Sequence, residues 1–278
     1  MKITLVIVVY KTVLNKSVTY CSLLNAIKGK NEFFKDLSII IYDNSPEIQS
    51  FDKSQFEKIK VEYQHDPRNL GIASAYNFAW SWAKENGSSW LLLLDHDTNL
   101  TEQYINKVFN LPKLTEDIAA VVPKVHSGNS MISPVYSHSL RPLHIELPKP
   151  GLQEQPVMAI NSGALLNVKF LNEIGGFNQE FPLDYLDHWL FYEIYARGHK
   201  VWLLDVTLEH DLSVMDYSRV SLMRYKSILN SEVNFYKNYK KDLFPSYKRQ
   251  LLKRFLKQAL TVKNKKIAMY TLRMLFST

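Results

Sequence analysis

Trp90–Leu100 reads WLLLLDHDTNL: five bulky apolar residues stop at two carboxylates, Asp95 and Asp97, with His96 between them. An uninterrupted apolar run of this length is expected of a strand covered on both faces. Two carboxylates are too costly to bury within such a strand, so they mark its end. In an open parallel sheet, ligands bind just beyond the carboxyl ends of the strands. The stretch therefore predicts an α/β fold whose site lies where Asp95 and Asp97 emerge.

The flanking sequence repeats the pattern. KITLVIVVY (2–10), LSIIIYDNS (37–45), KIKVEYQHD (58–66), DIAAVVPKV (117–125) and HKVWLLDVTLEH (199–210) read as further strands. Helical spacing runs through NKSVTYCSLLNAI (15–27), GIASAYNFAWSWAKENG (71–87), TEQYINKVFNL (101–111) and DYLDHWLFYEIYARG (184–198). Thr101 is placed to cap one helix N-terminus and Gly87 to close another helix at its C-terminus. Strands alternating with helices predict a doubly wound, mostly parallel sheet. Residues 126–156 carry five prolines and lose all periodicity, which predicts a long irregular loop.

Cys21 is the only cysteine, so no internal disulfide forms, and its apolar helical setting places it in the core. The apolar N-terminal run breaks at Tyr10 and Lys11 without a small-residue cleavage site, and reads as a strand rather than a signal peptide. No window approaches the length of a membrane span. A cytoplasmic location follows as the expectation. The net charge of +7 is unevenly spread, since fourteen Lys/Arg from Arg224 onward face only Glu232 and Asp242. Residues 1–223 are consequently acidic. In the tail, Leu251, Leu252, Phe255, Leu256, Ala259 and Leu260 fall on one helical face, with Lys248, Arg249, Lys253, Arg254 and Lys257 largely elsewhere. Such a basic amphipathic helix suits an anionic membrane surface; the alternative is that its apolar face packs on the catalytic body or forms a homodimer. No nucleic-acid-binding module accompanies the charge.

Two adjacent carboxylates repel unless a cation or strong hydrogen bonds balance them. Oxygen donors favour Mg²⁺ or Mn²⁺, whose coordination shell substrate phosphates commonly complete. Asp43 ends the second strand, where it either accepts from a base N–H or ribose hydroxyl or closes an Asx-turn. Gly71, Ala73, Ser74 and Ala75 open a helix whose N–H groups favour an anion. Asn69 and Asn77 either contact the ligand or brace that loop. The histidines, among them His126, His138 and His144, lack the spacing of a structural zinc site.

Four ordered motifs, VVYK (8–11), YDNS (42–45), NLGIASAYN (69–77) followed by LLLDHDT (92–98), and NSGALL (161–166) with GGFNQEFPLDYLDHW (175–189), resemble family-2 glycosyltransferases of the GT-A fold. The likeness covers roughly residues 1–240 and is nearest to rhamnosyltransferase-like enzymes of bacterial O-antigen and capsular polysaccharide synthesis. It implies that Val9 and Tyr10 line the base pocket and that Asp43 holds a pyrimidine. Asp95, with His96 beside it, would face the ribose or the metal, and Asp97 would ligate the metal bridging the diphosphate. Asn69, Gly71 and Asn77, at the opening of the helix after the third strand, are further candidates for the nucleotide-sugar site. Gly175 and Gly176 would turn the chain toward the acceptor, and Asp187 would be the catalytic base. Asp184, three residues earlier, is the candidate helix N-cap. His210 either completes the metal shell or is structural. Trp189 either stacks on a sugar face or belongs to the core. Leu186 and Trp189 stand where the family commonly carries acidic neighbours of the base, which leaves the acceptor open.

The resulting expectation is a GT-A catalytic domain over 1–223, comprising a nucleotide-sugar-binding half (1–125), the loop 126–156 and an acceptor half (157–223), followed by a basic helical tail over 224–278. Its activity would be metal-dependent inverting transfer from dTDP-rhamnose, or next a UDP-hexose such as UDP-galactose, to a hydroxyl of a lipid-linked glycan at the inner face of the cytoplasmic membrane. A nucleotidyltransferase is the first alternative, although VVYK is followed by no Gly-rich basic loop. A catalytically silent sugar-binding relative is the second.

Overall fold

The computed structural model of the chain describes residues 1–30, 35–56, 58–128, 130–140, 146–210 and 221–277. In chain order its elements are β1 (Ile3–Val9), α1 (Val18–Ile27), β2 (Leu37–Asp43), β3 (Lys60–His65), α2 (Ile72–Glu85), β4 (Trp90–Asp95), β5 (Thr98–Asn99) and α3 (Glu102–Phe109). There follow β6 (Ile118–Ser127), β7 (Ser130–Ser133), β8 (Val135–Tyr136), β9 (Gly151–Gln153), β10 (Val157–Met158), β11 (Leu165–Asn167), α4 (Val168–Ile174), α5 (Leu186–Ala196) and β12 (Lys200–His210). Three helices end the described chain: α6 (Leu222–Asn238), α7 (Phe244–Thr261) and α8 (Lys265–Ser277).

The main sheet runs β3-β2-β1-β4-β11-β6-β12-β5. β1, β2, β3 and β4 are mutually parallel, as are β6 and β12, while β11 is antiparallel to both neighbours. The doubly wound, mostly parallel expectation holds. Every residue of β1 is buried, and its side chains alternate between two cores. Val6 and Val8 face the cluster built with α2 and α5, while Ile3, Leu5, Ile7 and Val9 face the one built with α1 and α3. That two-sided burial is why the strands read as continuous apolar runs. Register then sets the site, because Val9 pairs with Asp43 and Val8 with Asp95, so three strands end level with one another.

The structure refines four expectations. Residues 126–156 are not wholly irregular: β7 pairs with β6, β9 pairs with β12, and β8 pairs with β10. These strands are too short to leave a periodic signal. The 223/224 boundary falls inside α6, whose Tyr225, Leu229 and Val233 join the same core as α2 and α5. The tail's apolar face is also divided. Tyr247 and Leu251 are buried in that core, whereas Leu252, Leu256 and Leu260 are 45%, 53% and 85% exposed. A buried polar contact joins the three terminal helices: Gln258 Nε2 donates to Tyr225 Oη (2.8 Å) and Thr271 Oγ1 donates to Gln258 Oε1 (2.7 Å). Arg254 makes a two-pronged ion pair with the buried Glu232, at 2.6 and 2.7 Å. Cys21 is half-buried at the edge of the core rather than inside it. No helix among the described residues is long and apolar enough to cross a membrane.

Candidate functional site

A cavity of about 710 Å³ opens at the carboxyl ends of β1, β2 and β4. Val9, Tyr10, Asn69, Gly71, Asp95, His96, Asp97 and Asp187 all line it. A more open hollow of about 930 Å³ lies between α3 and β12, away from these strand ends, and gathers none of these groups.

The Asp95–Thr98 turn is held from below. Ser17 Oγ donates to the His96 carbonyl (2.7 Å), and Thr19 Oγ1 accepts the Thr98 N–H (2.8 Å). Ser162 Oγ accepts the Asp95 N–H at 2.9 Å. These bonds fix the backbone of the turn from which the two carboxylates project. Tyr76, fully buried behind the wall, donates to Asp95 Oδ1 over a long 3.4 Å contact. Its phenol is raised well above its ordinary pKa, first by burial, then by the charge of Asp95 and its hydrogen bond, and then by Asp187 and Asp97. One hydroxyl thus feels three carboxylates drawn from two distant segments. Such a concentration of negative charge is what a cation relieves.

The loop into α2 is built around close approach. Gly71 has φ +91°, and a Cβ there would lie 2.2 Å from the Pro182 carbonyl oxygen. Ala73 N–H donates to that same oxygen at 3.1 Å, which docks the loop against the segment leading to Asp187. Asn69 has φ 49°, a left-handed conformation that Asn tolerates better than most residues. The loop's base is pinned by Asp66, which accepts from Arg68 at two points of 2.7 Å and from Tyr42 Oη at 2.8 Å. The Arg68 guanidinium holds the Asp66 carboxyl well below the usual carboxylate range.

Asp184 and Asp187 have different surroundings. Asp184 is not the helix cap, because Tyr185 occupies that position with φ 65° and no side-chain capping bond. Asp184 Oδ2 instead accepts from Arg224 (2.5 Å) and from Ser227 Oγ (2.8 Å), neutralising it. Asp187 accepts its neighbour's backbone N–H, from His188, at 2.8 Å; both carboxylates line the cavity, so their partners rather than their location set them apart.

Three expected ligand contacts are absent from the cavity lining. Asp43 is fully buried: Oδ1 accepts Ser45 N–H at 2.9 Å, the Asx-turn geometry, while Oδ2 accepts from Tyr63 Oη (2.7 Å) and Gln49 Nε2 (3.0 Å). Burial and the hydrogen bond to Asp43 push the Tyr63 phenol up to about 12. Asn77 braces rather than touches, spanning the Phe177 carbonyl and N–H at 2.8 Å each. Gly176 packs there too, since a Cβ on it would lie 2.4 Å from Asn77 Oδ1; Gly175 is the left-handed cap of α4. Trp189 is a core residue, 5% exposed, because its face of α5 points into the sheet cluster. The His210 side chain lies outside the described residues; its backbone pairs with Thr98.

Asn44, Asn161 and Arg224 line the cavity without having been singled out from sequence. Asn44 Oδ1 and Asn161 Oδ1 are buried with no hydrogen-bond partner among the described residues. A buried acceptor left unmade is costly, so each is suited to an N–H or O–H of a ligand. Asn44 lies within YDNS, next to Asp43, and Asn161 opens NSGALL. The oxygen donors Asp95 and Asp97 fit a hard divalent cation that keeps phosphate or water ligands. Among the described residues, no group of three or more His, Cys, Asp or Glu forms a metal cage by itself.

Residues 4–175 match the family described as Glycosyl transferase family 2. A search of curated proteins found no match. Among solved structures, the chain is similar to TarS 1-349 of S. aureus (TM-score 0.52, 13% identity, covering 100% of this chain and 88% of that one). The UDP-GlcNAc complex of TarS 1-349 is comparably similar (TM-score 0.52, 12% identity, 100% and 89% covered). So is the mannosyltransferase PcManGT from Pyrobaculum calidifontis in complex with GDP-Man and Mn²⁺ (TM-score 0.53, 14% identity, 99% and 86% covered). At these identities the structural likeness is one of fold.

Proposed function

We propose, from the premise that this chain belongs to glycosyl transferase family 2 and acts on a nucleotide-sugar donor, that it is a cation-dependent inverting enzyme with Asp187 as base. The observation that carries this reading is the gathering of Asp95, Asp97 and Asp187 in one cavity at the strand ends. A divalent cation held by Asp95 and Asp97 would offset the charge developing on the departing nucleoside diphosphate. The remaining work falls to the chain. Val9, Tyr10 and Asn44 border the base, Asn161 offers a buried acceptor, and Gly71 with Ile72 presents the N-terminus of α2 toward the phosphates. His96 flanks the diphosphate. Asp43 shapes the base pocket indirectly, by holding Ser45, Gln49 and Tyr63.

Asp187 is the better base because its neighbour is spent. Asp184 is committed to Arg224 and Ser227, whereas Asp187 accepts only a local backbone N–H among the described contacts. From the face opposite the leaving group, Asp187 would take the acceptor hydroxyl's proton as that oxygen attacks the anomeric carbon. The donor is dTDP-rhamnose by family likeness, with a UDP-hexose next. TarS has been solved with UDP and UDP-GlcNAc, and PcManGT with GDP-Man and Mn²⁺, so the panel must span pyrimidine and purine donors.

The test is a thermal-shift panel of dTDP-, UDP- and GDP-sugars with and without Mn²⁺. A native-state ligand raises apparent stability, by about 2.7 kcal/mol at a hundred times its Kd. One sugar nucleotide should stabilise the protein, and more so with the cation. No shift with any donor would end this reading.

The acceptor is proposed to be a lipid-linked glycan, met at the cytoplasmic face of a membrane. Leu252, Leu256 and Leu260 point outward from α7 at four-residue spacing, with Lys253 and Lys257 exposed beside them. Such a face combines apolar insertion with attraction to anionic lipid. Co-sedimentation with phosphatidylglycerol vesicles should fall at least about fivefold when all three leucines become Gln. Unchanged sedimentation, or a dimer that dissolves in that variant, would reject the membrane assignment.

A further inference from the structure

We infer that a second cleft, separated from the donor cavity by Tyr185 and His188, receives the acceptor and grips a phosphate or diphosphate group on it; this rests on the transferase reading above. The two rings stack at 4.3 Å between centroids. Tyr185 lines the donor cavity beside Asp187, and His188 lines a slot of about 70 Å³ with Tyr136, Tyr192, Phe235 and Tyr236. The slot widens into a hollow of about 610 Å³ that holds His138, Ser246, Arg249 and Lys253. Ser139, Leu140 and Leu243 line both, so slot and hollow form one path. It begins one residue from the proposed base and ends at two cations.

The chemistry along this path differs from that of the donor cavity. Donor-side charge is mainly carboxylate, with Arg224 paired to Asp184, whereas no carboxylate among the described residues lines either part of the path. Arg249 and Lys253 lie four residues apart on α7, a spacing at which like charges repel. Among the described residues neither forms an ion pair. Arg249 is oriented by donating to Ser246 Oγ at 3.0 Å. Lys240, in the slot, sits 5.6 Å from the Tyr192 ring centroid. Uncompensated Arg and Lys in a concave site are matched by phosphate oxygens, which accept several charge-assisted bonds at once. The aromatic slot between them and Asp187 presents apolar ring faces, suited to the C–H face of a sugar. An acceptor whose reacting hydroxyl enters the donor cavity at Asp187, and whose chain passes the Tyr185–His188 pair along the slot, therefore brings its anionic group to Arg249 and Lys253. That group is either the diphosphate of a lipid carrier or a phosphodiester within a glycan.

Three soluble probes test this: a hexose on a short alkyl diphosphate, the same hexose as a phosphate-free alkyl glycoside, and the hexose joined to glycerol by a phosphodiester. Binding is measured calorimetrically with the donor cavity saturated by the nucleoside diphosphate that the thermal-shift panel selects. Wild type should prefer at least one phosphate-bearing probe over the phosphate-free glycoside by about tenfold or more. The stronger of the two names the source. R249Q/K253Q should erase the preference while nucleotide-sugar affinity stays at the wild-type value, which also reports folding. K257Q, on the same helix but lining neither hollow, should keep the preference. Equal binding of all probes by wild type, or a preference surviving in R249Q/K253Q, overturns the inference. Failure of every nucleotide sugar to bind would instead strike the transferase reading, with the phosphate preference still readable in the absence of nucleotide.

Discussion

Asp187→Asn is expected to lower sugar transfer by about 10²–10⁴-fold, the usual worth of a positioned general base, with nucleotide-sugar affinity nearly unchanged. Asn is isosteric, and its side-chain oxygen can still accept the His188 N–H that Asp187 accepts at 2.8 Å. Geometry is therefore kept while the proton acceptor is lost. The informative control is Asp184→Asn, which weakens the ion pair to Arg224 and the bond from Ser227. That variant should show its effect mainly in thermal stability, because it disturbs the docking of α6 against the loop into α5. If Asp187→Asn transfers sugar at near the wild-type rate, or if Asp184→Asn alone abolishes transfer with folding intact, the base has been misassigned.

The second large effect is expected from Asp97→Ala. Removing one of two oxygen donors should abolish the cation's enhancement of nucleotide-sugar binding. It should also cost several kcal/mol of transition-state stabilisation, about 10²–10³-fold or more in kcat/KM. In excess chelator, wild type and variant should bind the nucleotide sugar equally weakly, which separates loss of the cation from loss of the pocket. Thermal unfolding of the cation-free proteins serves as the check on folding. Retained cation enhancement in the variant would mean that Asp97 is no ligand and that the negative field around Tyr76 has another purpose.

The sequence exposed the donor edge more clearly than the acceptor side, and the reason is local. Asp95 and Asp97 follow directly on an apolar strand, so their position at the sheet's carboxyl edge follows from strand polarity. Gly71 was readable because it opens a helix next to small residues, a pattern that speaks of close backbone approach. Asp43 satisfied the same strand-end rule, yet it is enclosed by Gln49 and Tyr63. Strand polarity says where a side chain emerges, and only neighbours from other segments say whether it reaches the cavity.

The same distinction runs through the rest of the molecule. Apolar runs, their alternation with helical spacing and the polar residues at their ends were enough to determine a doubly wound sheet, because hydrophobic periodicity is imposed residue by residue on each element. Tertiary structure alone decided that Trp189 serves the core, that Asp184 pairs with Arg224 forty residues away, and that α7 turns Leu251 inward but Leu252, Leu256 and Leu260 outward. A helix with two apolar arcs does not say which of them meets the body. That choice depends on how three helices pack against a sheet, a balance of contacts between segments distant in the chain.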